Sequence, residues 1–391
     1  MSFFDGLDPN EDDDFNVIPL FMTRVLPATR ASAPTIAEAA ELIRAGEVVA
    51  FPTETVYGLG ADGLNEKAVA KIFKAKGRPQ DNPLILHIAN LAMLDPLVTY
   101  VNPLHKAAFA RLWPGPITFI FEKSDLVPDA VTAGGPTVAI RMPVNEVARS
   151  LIAQADTPIA APSANRSGRP SPTTAYDVLE DMQGRIPLIL DGGACDIGVE
   201  STVLDLTEPI PTILRPGFYP SSMLNNYFPG VRLDPALEYQ NLSALESPEA
   251  ARHSKRDPKQ APPKSPGMKY RHYAPKALVT IYAGEDTKVL KRMVEDFHLR
   301  EAMDKKVGFM VFNQGAQYLR DTLPAKNTEI RSMGNSTFID TMGQRIFRLM
   351  RELDRAKCDE IFVMGIRPQG YGVAIMNRLM KSAGGNIIHV S

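Results

Sequence analysis

Cysteine is nearly absent from this chain: Cys195 and Cys358 are the only two in 391 residues. Two thiols so far apart exclude a disulfide framework and a four-thiolate zinc site, so both are read as inert. No apolar run reaches the roughly 18 residues that a membrane-spanning helix needs, and no membrane role is expected. Net charge is also nearly nil, with 43 Lys and Arg against 45 Asp and Glu. That balance excludes a surface built throughout to coat nucleic acid, though a local basic patch stays open. Missing too are a GxxxxGK[ST] phosphate loop, an HExxH pair and a Ser-His-Asp order, which removes the commonest hydrolase signatures. The first 14 residues carry six acids where an export signal would be basic and then apolar, so a cytoplasmic location is expected.

What is present reads as two α/β units. Residues 1–28 form an acidic flexible arm without periodicity. Thr35 and Glu38 make a capping-box pattern, Ile36, Ala39, Ala40 and Ile43 line one helical face, and Gly46 ends the helix. A strand at 47–51 follows. Short β-rich runs at 117–121, 137–141, 186–190, 201–206 and 212–215 then mix with helical stretches near 65–75, 145–154 and 174–182, giving a first unit over 29–222. Residues 247–276 hold six prolines, eight Lys or Arg and two acids, which suits a linker, placed at 223–276, and not a core element. From 277 to 391 strands at 278–283, 307–312, 359–364 and 386–390 alternate with helices near 286–299, 337–354 and 371–382, predicting a smaller parallel-sheet domain.

The polar residues that a core does not need cluster in the first unit. PTETVYGLGADG (52–63) contains Gly58-x-Gly60-x-x-Gly63, the spacing of a dinucleotide turn, but six residues including Pro52 separate it from the strand and no helix opens there. A dehydrogenase is therefore disfavoured. KAKGRPQDNPLILH (74–87) sets Lys74, Lys76 and Arg78 at alternate positions, cations that repel unless an anion or solvent neutralises them. PSANRSGRPSPTT (162–174), GVEST (198–202) and LRPG (214–217) add hydroxyl, amide and guanidinium donors. Each alone is an ordinary polar turn; together they favour an anion site.

In this order the blocks resemble the L-threonylcarbamoyladenylate synthase family in its two-domain form. FPTETVYGLG (51–60), KGRPQDNPLILH (76–87), WPGPITFI (113–120), TVAIRMP (137–143), PSANRSGRPSPT (162–173), GVESTV (198–203), LRPG (214–217) and SPGMKYRHYAP (265–275) carry the likeness, which covers residues 33–275. The resemblance implies a twisted mixed α/β catalytic domain with an open concave face and a smaller Rossmann-like parallel α/β domain. It implies synthesis of threonylcarbamoyl-AMP and pyrophosphate from L-threonine, bicarbonate or carbon dioxide, and ATP, for modification of tRNA by a downstream threonylcarbamoyl transferase. Mg2+ is expected with ATP. Lys76 and Arg78 take the catalytic role. Arg78, Asn82, Thr137, Ser163, Ser171, Arg215 and Tyr273 are expected at ATP; Thr55, His87, Arg141, Ala161 and Ser201 are expected at threonine; no protein-built metal site is expected. Residues 265–275 are expected to close over the nucleotide as a lid. The competing reading is an RNA-binding module using the basic concave face, and weak tRNA binding stays open beside the enzyme.

Overall fold

The computed structural model describes residues 22–29, 32–235, 237, 264 and 273–390. The first unit is an eleven-stranded mixed sheet of β1 (Arg24–Pro27), β2 (Val49–Phe51), β3 (Gly58–Asp62), β4 (Ile85–His87), β5 (Ile117–Glu122), β6 (Thr137–Arg141), β7 (Ile159–Ala160), β8 (Leu188–Asp191), β9 (Thr202–Asp205), β10 (Thr212–Arg215) and β11 (Arg232–Leu233). Their spatial order is β1-β8-β2-β3-β7-β4-β6-β5-β9-β10-β11. Helices α1 (Ala33–Arg44), α2 (Glu66–Lys76), α3 (Lys106–Leu112), α4 (Asp129–Thr132), α5 (Glu146–Ala155), α6 (Ala175–Met182) and α7 (Ser221–Leu224) cover it. The face of Ile36, Ala39, Ala40 and Ile43 on α1 is buried as its periodicity predicts, in one cluster with Val147, Ala148, Leu151 and Ile152 of α5.

The second unit is a fully parallel sheet in the order β14-β13-β15-β12-β16, built from β12 (Leu278–Gly284), β13 (Val307–Val311), β14 (Thr328–Ser332), β15 (Glu360–Met364) and β16 (Ile387–Val390). Its helices are α8 (Asp286–Glu301), α9 (Asn313–Thr322), α10 (Ile339–Arg355) and α11 (Gly372–Ala383). β13 and β15 are buried along their whole length, as strands covered on both faces must be. Both the mixed sheet and the Rossmann-like parallel sheet expected from the sequence are present. Among the described residues no helix is long and apolar enough to cross a membrane.

Several boundaries differ from the sequence reading. The arm was drawn too long, because Arg24–Pro27 is a strand parallel to β8; it pairs through backbone and is mostly exposed, so it leaves no alternating pattern to read. Helix α1 starts two residues before Thr35, which lies inside it and cannot cap it; Ser32 precedes the first turn and Pro34 sits within it. The first unit also runs past 222, since β11 pairs with β10 and Leu224 and Phe228 enter the first core. The sequence reading had no element over α9 and β14. Helix α9 is short and mostly polar, burying only Gly315, Ala316 and Leu319, and β14 is a half-buried edge, so neither stands out by apolar content.

Gly58 and Gly60 lie in β3, not in a phosphate turn. A Cβ on Gly60 would fall 2.6 Å from both Ile159 and Phe51, so glycine is there for close packing of neighbouring strands.

The two units dock through α10 and α11. Arg351 pairs with Asp181, Arg355 with Asp177 and Glu180, and Arg378 with Glu200. Backbone meets backbone at Gly198, φ +78°, where a Cβ would come within 2.3 Å of the Gly343 carbonyl.

Candidate active site

Four local decisions build one cavity. Asn65 caps α2 by accepting from the Lys67 and Ala68 amides, and Gly77 at φ 60° ends the helix, so Lys76 and Arg78 emerge at one fixed corner. The corner between β2 and β3 is tied by Thr53, whose hydroxyl lies 2.9 Å from that of Thr55 and donates to the Val56 carbonyl at 2.6 Å. Parallel pairing of β4 with β6 sets His87 beside Arg141. The loop after β7 then wraps the opening with Ala161, Ser163, Asn165 and Arg169.

Of the residues predicted from sequence, Thr55, Lys76, Arg78, His87, Arg141, Ala161, Ser163, Arg215 and Tyr273 all line this cavity. Asn82, Thr137, Ser171 and Ser201 are not in its lining. Ser201 stands directly behind it, its hydroxyl receiving Arg215 Nη2 at 2.9 Å and lying 2.7 Å from that of Thr118. Ser171 also acts at one remove, donating to Glu200 Oε1 at 2.6 Å. Asn82 is buried and, among the described residues, both polar atoms of its side chain lack a partner. Thr137 begins β6, at the opposite end from Arg141. Of the segment 265–275, residues 265–272 lie outside the described residues; Tyr273 stacks on Phe347 at 5.1 Å.

The charges are arranged differently from a row of free cations. Lys76 is buried and its ammonium donates to the carbonyls of Ser163 and Asn165, so it holds the loop wall. Burial, with Arg78 nearby, pushes its pKa well down. Arg141 Nη1 donates to Thr55 Oγ1 at 2.8 Å, and its Nη2 lies 2.6 Å from Glu54 Oε1. Glu54 escaped the sequence reading, although a single acid between Val48 and Ala61 in an apolar surround signals a buried pair. His87 is held near pKa 3 by burial and by the charge of Arg141, so its ring is neutral. Arg215 is lowered by burial to about 10 and stays cationic. Burial would raise Glu200, but Arg378 and Arg215, with hydrogen bonds from Ser171 and Arg378, hold it below the usual carboxylate value. Tyr273 is raised to about 12 by burial and by Glu200, so its hydroxyl is a donor. Four guanidinium groups, those of Arg78, Arg141, Arg169 and Arg215, with a neutral imidazole and the paired carboxylate of Glu200, make a site for an anion with several oxygens. The same geometry disfavours an RNA-binding face, because Lys76 is buried and Arg169 is committed to Asp181.

Residues 41–217 match the family described as Telomere recombination, which groups Sua5, YciO and YrdC proteins, and residues 236–384 match Threonylcarbamoyl-AMP synthase, C-terminal domain. The Threonylcarbamoyl-AMP synthase of Pyrococcus abyssi is 43% identical over 352 residues, covering 90% of this chain and 95% of that protein. The Bacillus subtilis protein of the same name is 42% identical over 357 residues, covering 91% and 94%. The crystal structure of P. abyssi Sua5 complexed with L-threonine superposes with a TM-score of 0.83 at 41% identity, covering 94% of this chain and all of that one. The chain therefore belongs to the threonylcarbamoyl-AMP synthase family in its two-domain form, ATP-using enzymes of the nucleotidyltransferase kind.

Proposed function

We propose that the cavity holds ATP and L-threonine together and joins them through a carbamate. The neutral threonine amine adds to carbon dioxide, itself supplied directly or from bicarbonate, forming the N–C bond and releasing one N–H proton to solvent to leave a carbamate. A carbamate oxygen attacks the α-phosphorus of ATP, the bond from that phosphorus to its bridging oxygen breaks, and pyrophosphate leaves with both electrons. The observation that carries this reading is the convergence of Arg78, Arg141 and Arg215 on one cavity beside a neutral His87.

In this division Arg78 and Arg215 face the phosphates, with Ser163 and the Tyr273 hydroxyl as further donors. Asn82 would turn its amide to ATP, which gives its two unpartnered atoms a use. Ser171 and Ser201 act through Glu200 and Arg215, and Thr137 takes the outlying ATP position. Arg141 receives the threonine carboxylate, while Thr55, His87 and the backbone at Ala161 take its other polar groups. With a pKa near 3, His87 is a poor base and serves as a contact. Catalysis is then mostly positioning and neutralisation of charge, with Lys76 keeping the loop wall in place.

Magnesium would enter with ATP and not on a site built by the protein, because Glu200 in the cavity lining and Glu54 behind Arg141 are already tied to arginines. The reading extends to a cytoplasmic enzyme with a catalytic unit that begins at β1 and runs through β11, a connecting segment after it and a second unit at 277–391, whose product passes to a tRNA threonylcarbamoyl transferase.

Pyrophosphate release from ATP should require threonine and bicarbonate together. Arg78→Ala should lower the rate by about 2–4 kcal/mol in the transition state, the loss of one preorganised donor, while the chain stays folded. Equal release without any amino acid would sink the synthase reading and leave an ATPase.

A further inference from the structure

Burying a guanidinium is unfavourable unless its charge and its donors are matched, so a fully buried arginine marks a place where other groups depend on it. Arg378, on α11 of the second unit, is 0% exposed. Its Nε donates to Glu200 Oε2 at 2.9 Å, and its Nη1 donates to the Pro216 carbonyl at 2.8 Å and to Asn377 Oδ1 at 3.2 Å. Its guanidinium carbon lies 5.8 Å from the centre of the Tyr273 ring. Glu200 and Tyr273 both line the cavity, whereas Arg378 does not.

We propose that Arg378 is a positioning residue for ATP: it reaches from the second unit to neutralise Glu200 and to hold Glu200, Ser171 and Tyr273 in the arrangement that receives the triphosphate. Arg215 of the first unit also favours the charged Glu200, but it acts through its field and not through a contact, because its Nε and Nη2 are committed to Ser201. Among the described residues the direct ion pair to Glu200 is the one from Arg378. Without it, a buried carboxylate in the cavity wall would face the phosphates with only the field of Arg215 and the Ser171 hydroxyl to offset it, and like charges with little solvent between them repel strongly. Glu200 would also lose the partner that fixes one oxygen while the other takes the Ser171 hydroxyl at 2.6 Å. The aromatic ring of Tyr273 would lose the cation above it. The catalytic centre is thus completed by a side chain from outside its own sheet.

This inference rests on ATP occupying the cavity. The test uses the full chain and measures kcat and the KM for ATP and for threonine in Arg378→Met, Glu200→Gln and the double variant. Arg378→Met should raise the KM for ATP by roughly tenfold or more and that for threonine by less than about threefold, whereas in the Glu200→Gln background it should raise the ATP value by less than about threefold. A merely structural role predicts the same factor in both backgrounds, or an unchanged KM with less folded protein, and either result overturns the proposal. Should Arg378→Met fail to fold, Arg378→Gln replaces it in both backgrounds with the same criterion, since its amide can still donate while the charge is gone. Arg78→Ala separates the two failures. If it leaves the ATP KM unchanged, ATP does not lie in this cavity; if it raises the KM while the Arg378 effect ignores Glu200, only this inference falls.

Discussion

Gly198→Ala measures how closely the two units meet. Gly198 has φ +78°, and a Cβ there would lie 2.3 Å from the Gly343 carbonyl oxygen and 2.4 Å from Gln344 Cα. Both obstacles are backbone, so no rotamer change relieves them. A left-handed backbone costs a non-glycine residue about 1–2 kcal/mol, and forcing an extra methyl into a packed site costs about 1–3 kcal/mol. The sum is a loss of about 2–5 kcal/mol. Gly193 supplies the control, since its φ is +83° but nothing lies within 4 Å of its Cβ position. Gly193→Ala should show only the backbone share. Denaturant unfolding of both full-length variants isolates the contact between units as their difference, about 1–3 kcal/mol. Because Gly198 is two residues from Glu200, Gly198→Ala should also raise the KM for ATP, and Gly193→Ala should not. Equal destabilisation of the two variants, within about 0.5 kcal/mol, would refute the close docking.

Arg141→Lys keeps a charge but cannot serve Thr55 and Glu54 and a ligand carboxylate at once, so the KM for threonine should rise about tenfold while ATP binding measured without threonine changes little. The reverse pattern would reassign the two subsites. His87 has a folded pKa near 3 against an ordinary 6.5, so the unfolded chain takes up a proton that the folded chain refuses. Stability should fall as pH drops from about 6.5 towards 3, by up to about 1.4 kcal/mol per unit, and Glu or Asp titration aside, His87→Gln should show a flatter profile. Parallel profiles would contradict the buried neutral ring. Tyr273→Phe keeps the stack on Phe347 and the place beneath Arg378, so it should unfold later than Tyr273→Ala yet show a raised KM for ATP. A normal KM would remove the hydroxyl from the ATP contacts.

Strand positions inside the two sheets were legible because buried parallel and alternating runs differ from their surroundings; 137–141 and 212–215 coincide with β6 and β10. Loops rich in Ser, Asn and Arg were legible as an anion site, whereas individual lining residues such as Thr55, His87, Arg141 and Tyr273 were placed by the resemblance to the family. Pairings across the chain were not. Glu54 and Arg141 lie 87 positions apart, and their contact follows from sheet topology that no local pattern encodes. Lys76 looked like a free phosphate cation, since spacing reveals charge but not burial, and its ammonium is taken up by two carbonyls. Arg378 was overlooked because in VAIMNRLMK it reads as the polar side of an amphipathic helix, whereas α11 is covered on that side too, by the first unit.

The seam between the units is one-sided in sign. Its ion pairs set Arg351, Arg355 and Arg378 of the second unit against Asp177, Glu180, Asp181 and Glu200 of the first. A second copy of the same chain cannot imitate this by offering like to like, since arginines would then meet arginines and carboxylates meet carboxylates. The seam is a lock that accepts only the opposite half, so homotypic stacking through either surface is discouraged even when crowding brings copies together.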